Sequence, residues 1–148
     1  MISLNQLFDM LYHRNNTDID LKLEVRKKCG KSISFLERIL TNNYGSSKYK
    51  LENIFPDFLD KKKFKFNESV FLNFDLREFG IVFCFRIKNN EYIEFCPYYS
   101  ISFQSNDNNF TLQTDYYSYS FRVMDKKKHL NFISSLYKKK VKYNSTNL

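Results

Sequence analysis

The sequence has no tryptophan, only two histidines and only three glycines among its 148 residues. The glycines, Gly30, Gly45 and Gly80, lie far apart, so the chain lacks the glycine-rich loop that binds phosphate in P-loop nucleotide hydrolases. The histidines, His13 and His129, have no second histidine or cysteine at the spacing of metal ligands. These absences exclude P-loop nucleotide hydrolysis, and they leave a metal site or a cofactor without support.

Cysteine and long apolar runs are also scarce. The three cysteines form no CxxC motif, and an odd number of thiols fits a reducing cytoplasm better than a disulfide framework. Cys84 and Cys96 lie in strand-like runs and are predicted to be buried thiols. The longest apolar stretch, around 81–85, is too short to cross a bilayer, and residues 1–11 lack the pattern of a signal peptide. The sequence therefore predicts a cytoplasmic protein.

Between Lys48 and Met124 the sequence contains about seven short runs of alternating or near-continuous apolar residues, which is the pattern of β-strands. The predicted strands are 49–53, 64–66, 70–76, 81–88, 91–96, 100–105, 109–114 and 117–123. Polar turns are predicted at 89–90, 106–108 and 115–116, so that consecutive strands form hairpins. This order predicts an α+β fold in which an antiparallel β-meander or partly open β-barrel is followed by a C-terminal amphipathic helix.

The first 47 residues are predicted to form a helix, a strand and a second helix. A candidate N-cap at Ser3 opens a helical pattern that ends near His13. Apolar and charged residues alternate over 19–25, which indicates a half-buried strand, and 33–40 has helical spacing again. The predicted organisation is an N-terminal helix-strand-helix extension (1–47), a β-barrel with its C-terminal helix (48–142) and a flexible tail (143–148).

The C-terminal helix is predicted to begin after Asp125 as its N-cap and to have one apolar and one basic face. The apolar face comprises Leu130, Ile133, Leu136, Tyr137 and Val141. The basic face comprises Lys127, Lys128, Lys138, Lys139 and Lys142. Residues 125–148 contain seven lysines and one aspartate, so their net charge is +6, whereas residues 48–124 are neutral with ten basic and ten acidic side chains.

The segments that follow Gly80 have a recognisable order: GIVF (80–83), EYIEF (91–95), PY (97–98), SISF (100–103), YSFRV (119–123) and the helix 125–137. This order resembles the later half of a bacterial pleckstrin-homology-like domain, and the resemblance covers residues 48–142. It implies a bent, partly open barrel that a C-terminal helix plugs at one end. The lysines at 61–63 and 65 have no basic partner strand, unlike the first hairpin of family members that bind phosphoinositides.

Few side chains suggest catalysis. His13, at the end of the first helix, and His129, on the flank of the last one, are predicted to have structural or solvent roles. Asp57, Asp60 and Lys62 superficially resemble a metal-dependent nuclease site, but they fit an exposed polar turn better. An unrecognised enzyme would need a pair such as Asp18 and Asp20 to meet a distant basic residue. The sequence therefore favours a protein that is not an enzyme.

The leading hypothesis is a non-enzymatic protein-binding module, with a small inhibitor or immunity-type protein of microbial or phage conflict as a variant. The alternative is binding of nucleic acid or anionic membrane through the basic helix face. The candidate binding residues are the five lysines of that face together with Tyr116, Tyr117 and Tyr119. Alternation places Tyr117 and Tyr119 on one side of their strand and Tyr116 on the other. No cofactor or small-molecule substrate is indicated, and the oligomeric state stays open.

Overall fold

The computed structural model describes residues 12–13, 19–31, 46, 48–56, 69–87 and 90–146. The helices in this part of the chain are α1 (Ile19–Cys29), α2 (Lys126–Thr146) and a single 3-10 turn (Tyr98–Ser100). The strands are β1 (Tyr12–His13), β2 (Tyr49–Phe55), β3 (Val70–Leu72), β4 (Phe74–Leu76), β5 (Gly80–Ile87), β6 (Asn90–Pro97), β7 (Ser102–Ser105), β8 (Asn109–Gln113) and β9 (Ser118–Val123).

The strands form two antiparallel sheets, with the orders β1-β6-β5-β4 and β3-β2-β9-β8-β7. Only Asn73 separates β3 from β4, so the chain passes from one sheet to the other at that residue. At the opposite side, β6 and β7 belong to different sheets, and the barrel is not closed. The predicted α+β fold, a partly open antiparallel meander with a C-terminal helix, is confirmed.

Most of the predicted strands and turns lie where the structure has them. Ser105 pairs with Phe110 and Gln113 pairs with Ser118, so both predicted polar turns lie between paired strands. The single strand predicted over 70–76 is divided into β3 and β4. Ile87 pairs with Asn90, so Asn90 begins β6 and does not belong to the turn predicted at 89–90. The predicted segments 33–40 and 64–66 lie outside the described residues.

The prediction of a strand at 19–25 was wrong, because these residues form the first half of α1. Leu21 and Val25 are buried at a spacing that suits a strand and a helix equally well. Leu23 distinguishes the two patterns: it is 58% exposed, whereas an alternating strand would bury it. His13 does not end a helix either. It belongs to β1, which pairs with β6.

α1 packs on the outer side of the first sheet, where it forms a small apolar cluster of its own. The cluster consists of Leu21, Val25, Cys29, Val82 and Phe95. Gly80 permits this close contact, because a Cβ atom at that position would lie 2.4 Å from the carbonyl oxygen of Cys96 and 2.6 Å from Cys29 Sγ. The described part of residues 1–47 therefore extends the first sheet through β1 and covers it through α1.

The main core lies between the two sheets and α2, and aromatic rings fill its centre. Phe74 on β4 touches rings from both sheets and from the helix, at centroid distances of 5.0 to 5.4 Å for the four nearest. These four rings are Tyr49, Phe83, Phe121 and Phe132. Three of these contacts are edge-to-face and the one with Phe132 is stacked, and such ring pairs add to the free energy gained by burying the rings. Phe74 therefore joins all three layers of the molecule.

We expect Phe74→Ala to lower the free energy of unfolding by about 3 to 5 kcal/mol, because it leaves a ring-sized cavity where the layers meet. Phe71→Ala is the matched control, since this nearby ring is 38% exposed and should cost about 1 kcal/mol. Urea unfolding followed by circular dichroism measures both values. Equal losses for the two variants would contradict the central role of Phe74.

Candidate binding surface on the C-terminal helix

α2 begins at a capped N-terminus and is longer than predicted. The Asp125 carboxylate accepts a hydrogen bond from the Lys128 backbone N–H at 3.1 Å, which satisfies one of the free donors of the first turn. Asp125 is thus the N-cap, as predicted. The helix continues past Lys142 to Thr146, and the ring of Tyr143 stacks on that of Tyr99 with centroids 5.7 Å apart. This last turn was predicted to be a flexible tail.

The side of α2 that enters the core differs from the predicted apolar face. His129, Phe132 and Leu136 are buried, and Ile133 and Tyr143 pack partly against them. Three members of the predicted face point to solvent instead: Leu130 is 61% exposed, Tyr137 is 60% exposed and Val141 is 48% exposed. The helix is therefore rotated relative to the orientation that apolar spacing alone suggests.

A buried histidine fixes this rotation. His129 lies inside the core, not on the flank of the helix as predicted, and its two ring nitrogens each meet a hydroxyl group. Nδ1 is 2.5 Å from the Tyr49 hydroxyl, and Nε2 is 2.5 Å from Ser105 Oγ. Because Tyr49 belongs to β2 and Ser105 to β7, the imidazole joins α2 to two strands of the second sheet.

A lysine fixes the other half of the helix in the same orientation. Lys140 Nζ donates hydrogen bonds to the carbonyl oxygens of Tyr98 at 2.8 Å and Ile101 at 2.5 Å. These carbonyls belong to the connection between β6 and β7, on the opening between the two sheets. Burial lowers the pKa of Lys140 from its ordinary value. Two polar side chains that a hydrophobic pattern ignores thus decide which helix face is covered.

The Ser105–His129 contact resembles the nucleophile–base pair of serine hydrolases, but its surroundings differ. The group on Nδ1 is the phenol of Tyr49 and not a carboxylate, so the third member of a catalytic triad is missing at that nitrogen. The backbone N–H groups of Asn108 and Asn109 donate to Asn106 Oδ1 at 2.9 and 2.8 Å. They are engaged in the turn and are not directed toward the Ser105 hydroxyl. The contacts of His129 with Tyr49 and Ser105 therefore indicate that it anchors α2 to the sheet.

The exposed apolar side chains of α2 form a line, which we call the apolar stripe: Leu130, Tyr137 and Val141. Lysines lie beside it. Lys127, Lys128, Lys138 and Lys142 are exposed, and Lys139 is half-buried. The predicted basic residues thus lie on or near the solvent side of the helix, next to an apolar line that was predicted to be in the core. α2 contains seven lysines and no acidic residue.

Two of the three tyrosines of the predicted site lie in the core. Tyr117 and Tyr119 are buried in the core, and Tyr116 is half-buried and packs against it. The turn that carries them folds inward, since Thr114 Oγ1 accepts the Tyr117 backbone N–H at 3.2 Å. Alternation correctly placed Tyr117 and Tyr119 together, but the face they share is the inner one. Neither of these two rings is therefore exposed on the surface of the described part of the chain.

The turn between β8 and β9 lies close to a buried carboxyl group that the sequence analysis missed. Glu94 is buried on β6, and its Oε2 atom has no hydrogen-bond partner among the described residues. Burial raises the pKa of Glu94 to about 8, and the charge of Asp115 adds to this shift. A hydrogen bond with Thr114 acts in the opposite direction. The carboxyl group is therefore mostly protonated at neutral pH.

We expect acid to destabilise the protein partly through His129. Burial lowers the pKa of this imidazole below its ordinary 6.5, so the unfolded chain takes up the proton first as the pH falls. The free energy of unfolding should therefore decrease below about pH 6.5 and stop decreasing, for this group, at the folded-state pKa.

His129→Gln tests this expectation, because glutamine can form hydrogen bonds but does not titrate. The variant should be less stable at neutral pH, and its stability should fall less than that of the natural protein between about pH 7 and pH 5. Urea titrations at both pH values give the comparison. An identical fall in the two proteins would show that His129 does not contribute.

We expect Glu94→Gln to stabilise the protein at alkaline pH. The folded-state pKa of Glu94 is raised, so the stability associated with its protonated form is complete below about pH 4.5 and is lost as the pH rises toward 8. The amide cannot ionise and should avoid a loss on the order of a few kcal/mol. Thermal melts at about pH 5 and pH 8 should therefore differ less for the variant. A variant less stable than the natural protein at pH 8 would contradict this.

Comparison with known proteins adds no family to this picture: no protein-family model and no curated protein sequence matches the chain. The described residues contain no group of three or more histidine, cysteine, aspartate or glutamate side chains able to hold a metal ion. No described helix is long and apolar enough to span a membrane. The exposed side of α2, with its apolar stripe and lysines, is thus the best-defined candidate surface in the part of the chain that the structure describes.

Proposed function

We propose that the protein is a non-enzymatic protein-binding module and that the exposed side of α2 is its contact surface. The apolar stripe carries this proposal. Its three side chains are about half or more exposed and lie in line on one helix, over a length of about 16 Å at 1.5 Å per residue. Grouped apolar side chains on a surface are typical of interaction sites, whereas single exposed ones are common everywhere.

The way α2 is held supports the same proposal. His129 attaches its first half to two strands, Lys140 attaches its second half to two carbonyl groups, and Tyr143 stacks on Tyr99 near its end. A helix fixed at three positions presents its outer side chains without losing further conformational freedom on binding. The stripe is therefore part of a preorganised surface.

Other features support finer parts of the proposal. An antiparallel meander in two sheets, followed by a helix packed between them, is what a pleckstrin-homology-like domain would have. None of the three cysteines forms a disulfide, and Cys29 and Cys96 are buried while Cys84 is half-buried, which fits a reducing cytoplasm. A compact module that acts only by binding also fits a small inhibitor or immunity-type protein.

The second candidate function is binding of nucleic acid or anionic membrane, and the charge of α2 favours it. Seven lysines without an acidic residue give this helix a strong positive potential. Binding of phosphate groups through lysines releases counterions and weakens steeply with added salt. It makes no use of Leu130, Tyr137 and Val141, so the two functions differ in the variants that should impair them.

We expect a tagged form of the protein to retain a stoichiometric partner protein from a lysate of its native host at both low and high salt. Leu130→Ser/Tyr137→Ser/Val141→Ser should reduce recovery about tenfold or more, because it removes the apolar contact area. Leu23→Ser/Phe55→Ser is the matched control, since both side chains are also well exposed but lie elsewhere. It should leave recovery unchanged.

Two results would contradict the protein-binding proposal. One is a partner that the stripe variant retains as well as the natural protein does. The other is recovery of only nucleic acid or lipid, lost at high salt and unaffected by the stripe variant, which would assign the function to the lysines. Circular dichroism of each variant establishes that α2 and the sheets are intact.

A further inference from the structure

The spacing of the exposed residues on α2 is that of a helix which packs on another helix. Leu130, Ser134, Tyr137 and Val141 are all exposed and follow each other at intervals of four, three and four residues. Intervals that alternate between four and three residues are those of the a and d positions of a coiled coil, which keep a stripe facing one partner helix. Ser134 is small, so it leaves a hole between Leu130 and Tyr137 that a partner side chain can fill.

The charge beside the stripe specifies the chemistry of that partner. At about 100° per residue, Lys127 and Lys138 lie about 60° around the helix from the stripe, on the side away from the core. Both are exposed, and no acidic side chain of α2 neutralises them. These are the positions from which charged side chains select a partner in helix pairs. A partner with carboxylates on its facing flank complements them, and a basic one is repelled.

We propose that the apolar stripe binds an acidic amphipathic helix of another protein, with apolar side chains on Leu130, Tyr137 and Val141 and carboxylates beside Lys127 and Lys138. This inference rests on the proposed function and adds the class of partner to it. The partner helix fills the space above Ser134 with one apolar side chain. Its acidic residues flank the same stripe at the e or g positions of its own heptads.

Two other occupants fit the surface less well. A second copy of this chain would place one lysine-rich helix against another, and like charges across a helix pair are unfavourable. A membrane surface prefers a helix with a broad apolar face, about 100° or wider, whereas the stripe covers about 60° or less and its other side is held in the core. An acidic protein helix satisfies both the apolar and the charged part of the surface.

Two designed peptides test the inference. Each contains three heptads with leucine at the a and d positions, and the e and g positions are all glutamate in one peptide and all lysine in the other. Repulsion between like charges keeps either peptide from pairing with itself. Fluorescence anisotropy with a dye-labelled peptide measures affinity for the full-length protein, and we expect about tenfold or tighter binding of the glutamate peptide over the lysine peptide.

Three variants assign that binding to the proposed residues. The stripe variant, Leu130→Ser/Tyr137→Ser/Val141→Ser, should bind the glutamate peptide about tenfold or more weakly. Lys127→Glu/Lys138→Glu should lose the preference and bind the lysine peptide better than the natural protein does. Lys22→Glu/Lys27→Glu on α1 changes the net charge equally at two exposed positions and should behave like the natural protein.

Several results would overturn the inference: no preference for the glutamate peptide, a preference that the stripe variant keeps, or the same loss with the α1 control. Self-association that the stripe variant abolishes, or binding to phosphatidylserine vesicles that depends on the stripe and displaces the peptide, would also overturn it in favour of those occupants. If the stripe variant loses its host partner but the glutamate peptide does not bind, the protein-binding proposal stands and the acidic helix is rejected.

Discussion

The two hydrogen bonds of His129 decide which side of α2 faces solvent, and the exposure of the apolar stripe depends on that orientation. The imidazole is buried between Tyr49 and Ser105, so neither ring nitrogen can be withdrawn from its hydroxyl without a desolvation cost. Leucine and valine side chains can pack against a sheet in several rotations of the helix about its axis. The two hydrogen bonds of His129 can form in only one of these rotations. Because the imidazole occupies part of the core surface of α2, the apolar residues on the other side of the helix are exposed.

The fold was largely predictable from sequence because hairpins are local. Strands β8 and β9 follow a period of two, and β5 is a near-continuous apolar run. Polar turns such as 106–108 mark the strand ends, so the meander could be inferred without knowledge of distant contacts. α1 could not be predicted in this way, because the spacing of Leu21 and Val25 fits both a strand and a helix. Only the exposure of Leu23 distinguishes the two structures. The division of the predicted strand at Asn73 was also not predictable, because it depends on which sheet each half joins. Sheet membership is set by tertiary contacts.

The candidate site was predictable only in part. The lysines were found because charge is a local property of the sequence, and Asp125 was found because N-caps have a local signature. The apolar stripe was assigned to the core because a helical wheel counts apolar residues and gives no weight to His129 or Lys140. Tyr117 and Tyr119 were counted among the candidate binding residues although they lie in the core. In a chain with 18% aromatic residues, rings such as Tyr119 are mainly core-forming side chains.

The passage between the sheets at Asn73 affects how the molecule holds together. β3 and β4 each form the edge of a different sheet, and one residue separates them. Neither sheet can lose this edge without pulling on the other, and the ring of Phe74 sits directly beside the junction. We therefore expect the two sheets to unfold as one cooperative unit. The helix proposed to bind α2 would therefore dock on a framework in which the two sheets are linked at one residue.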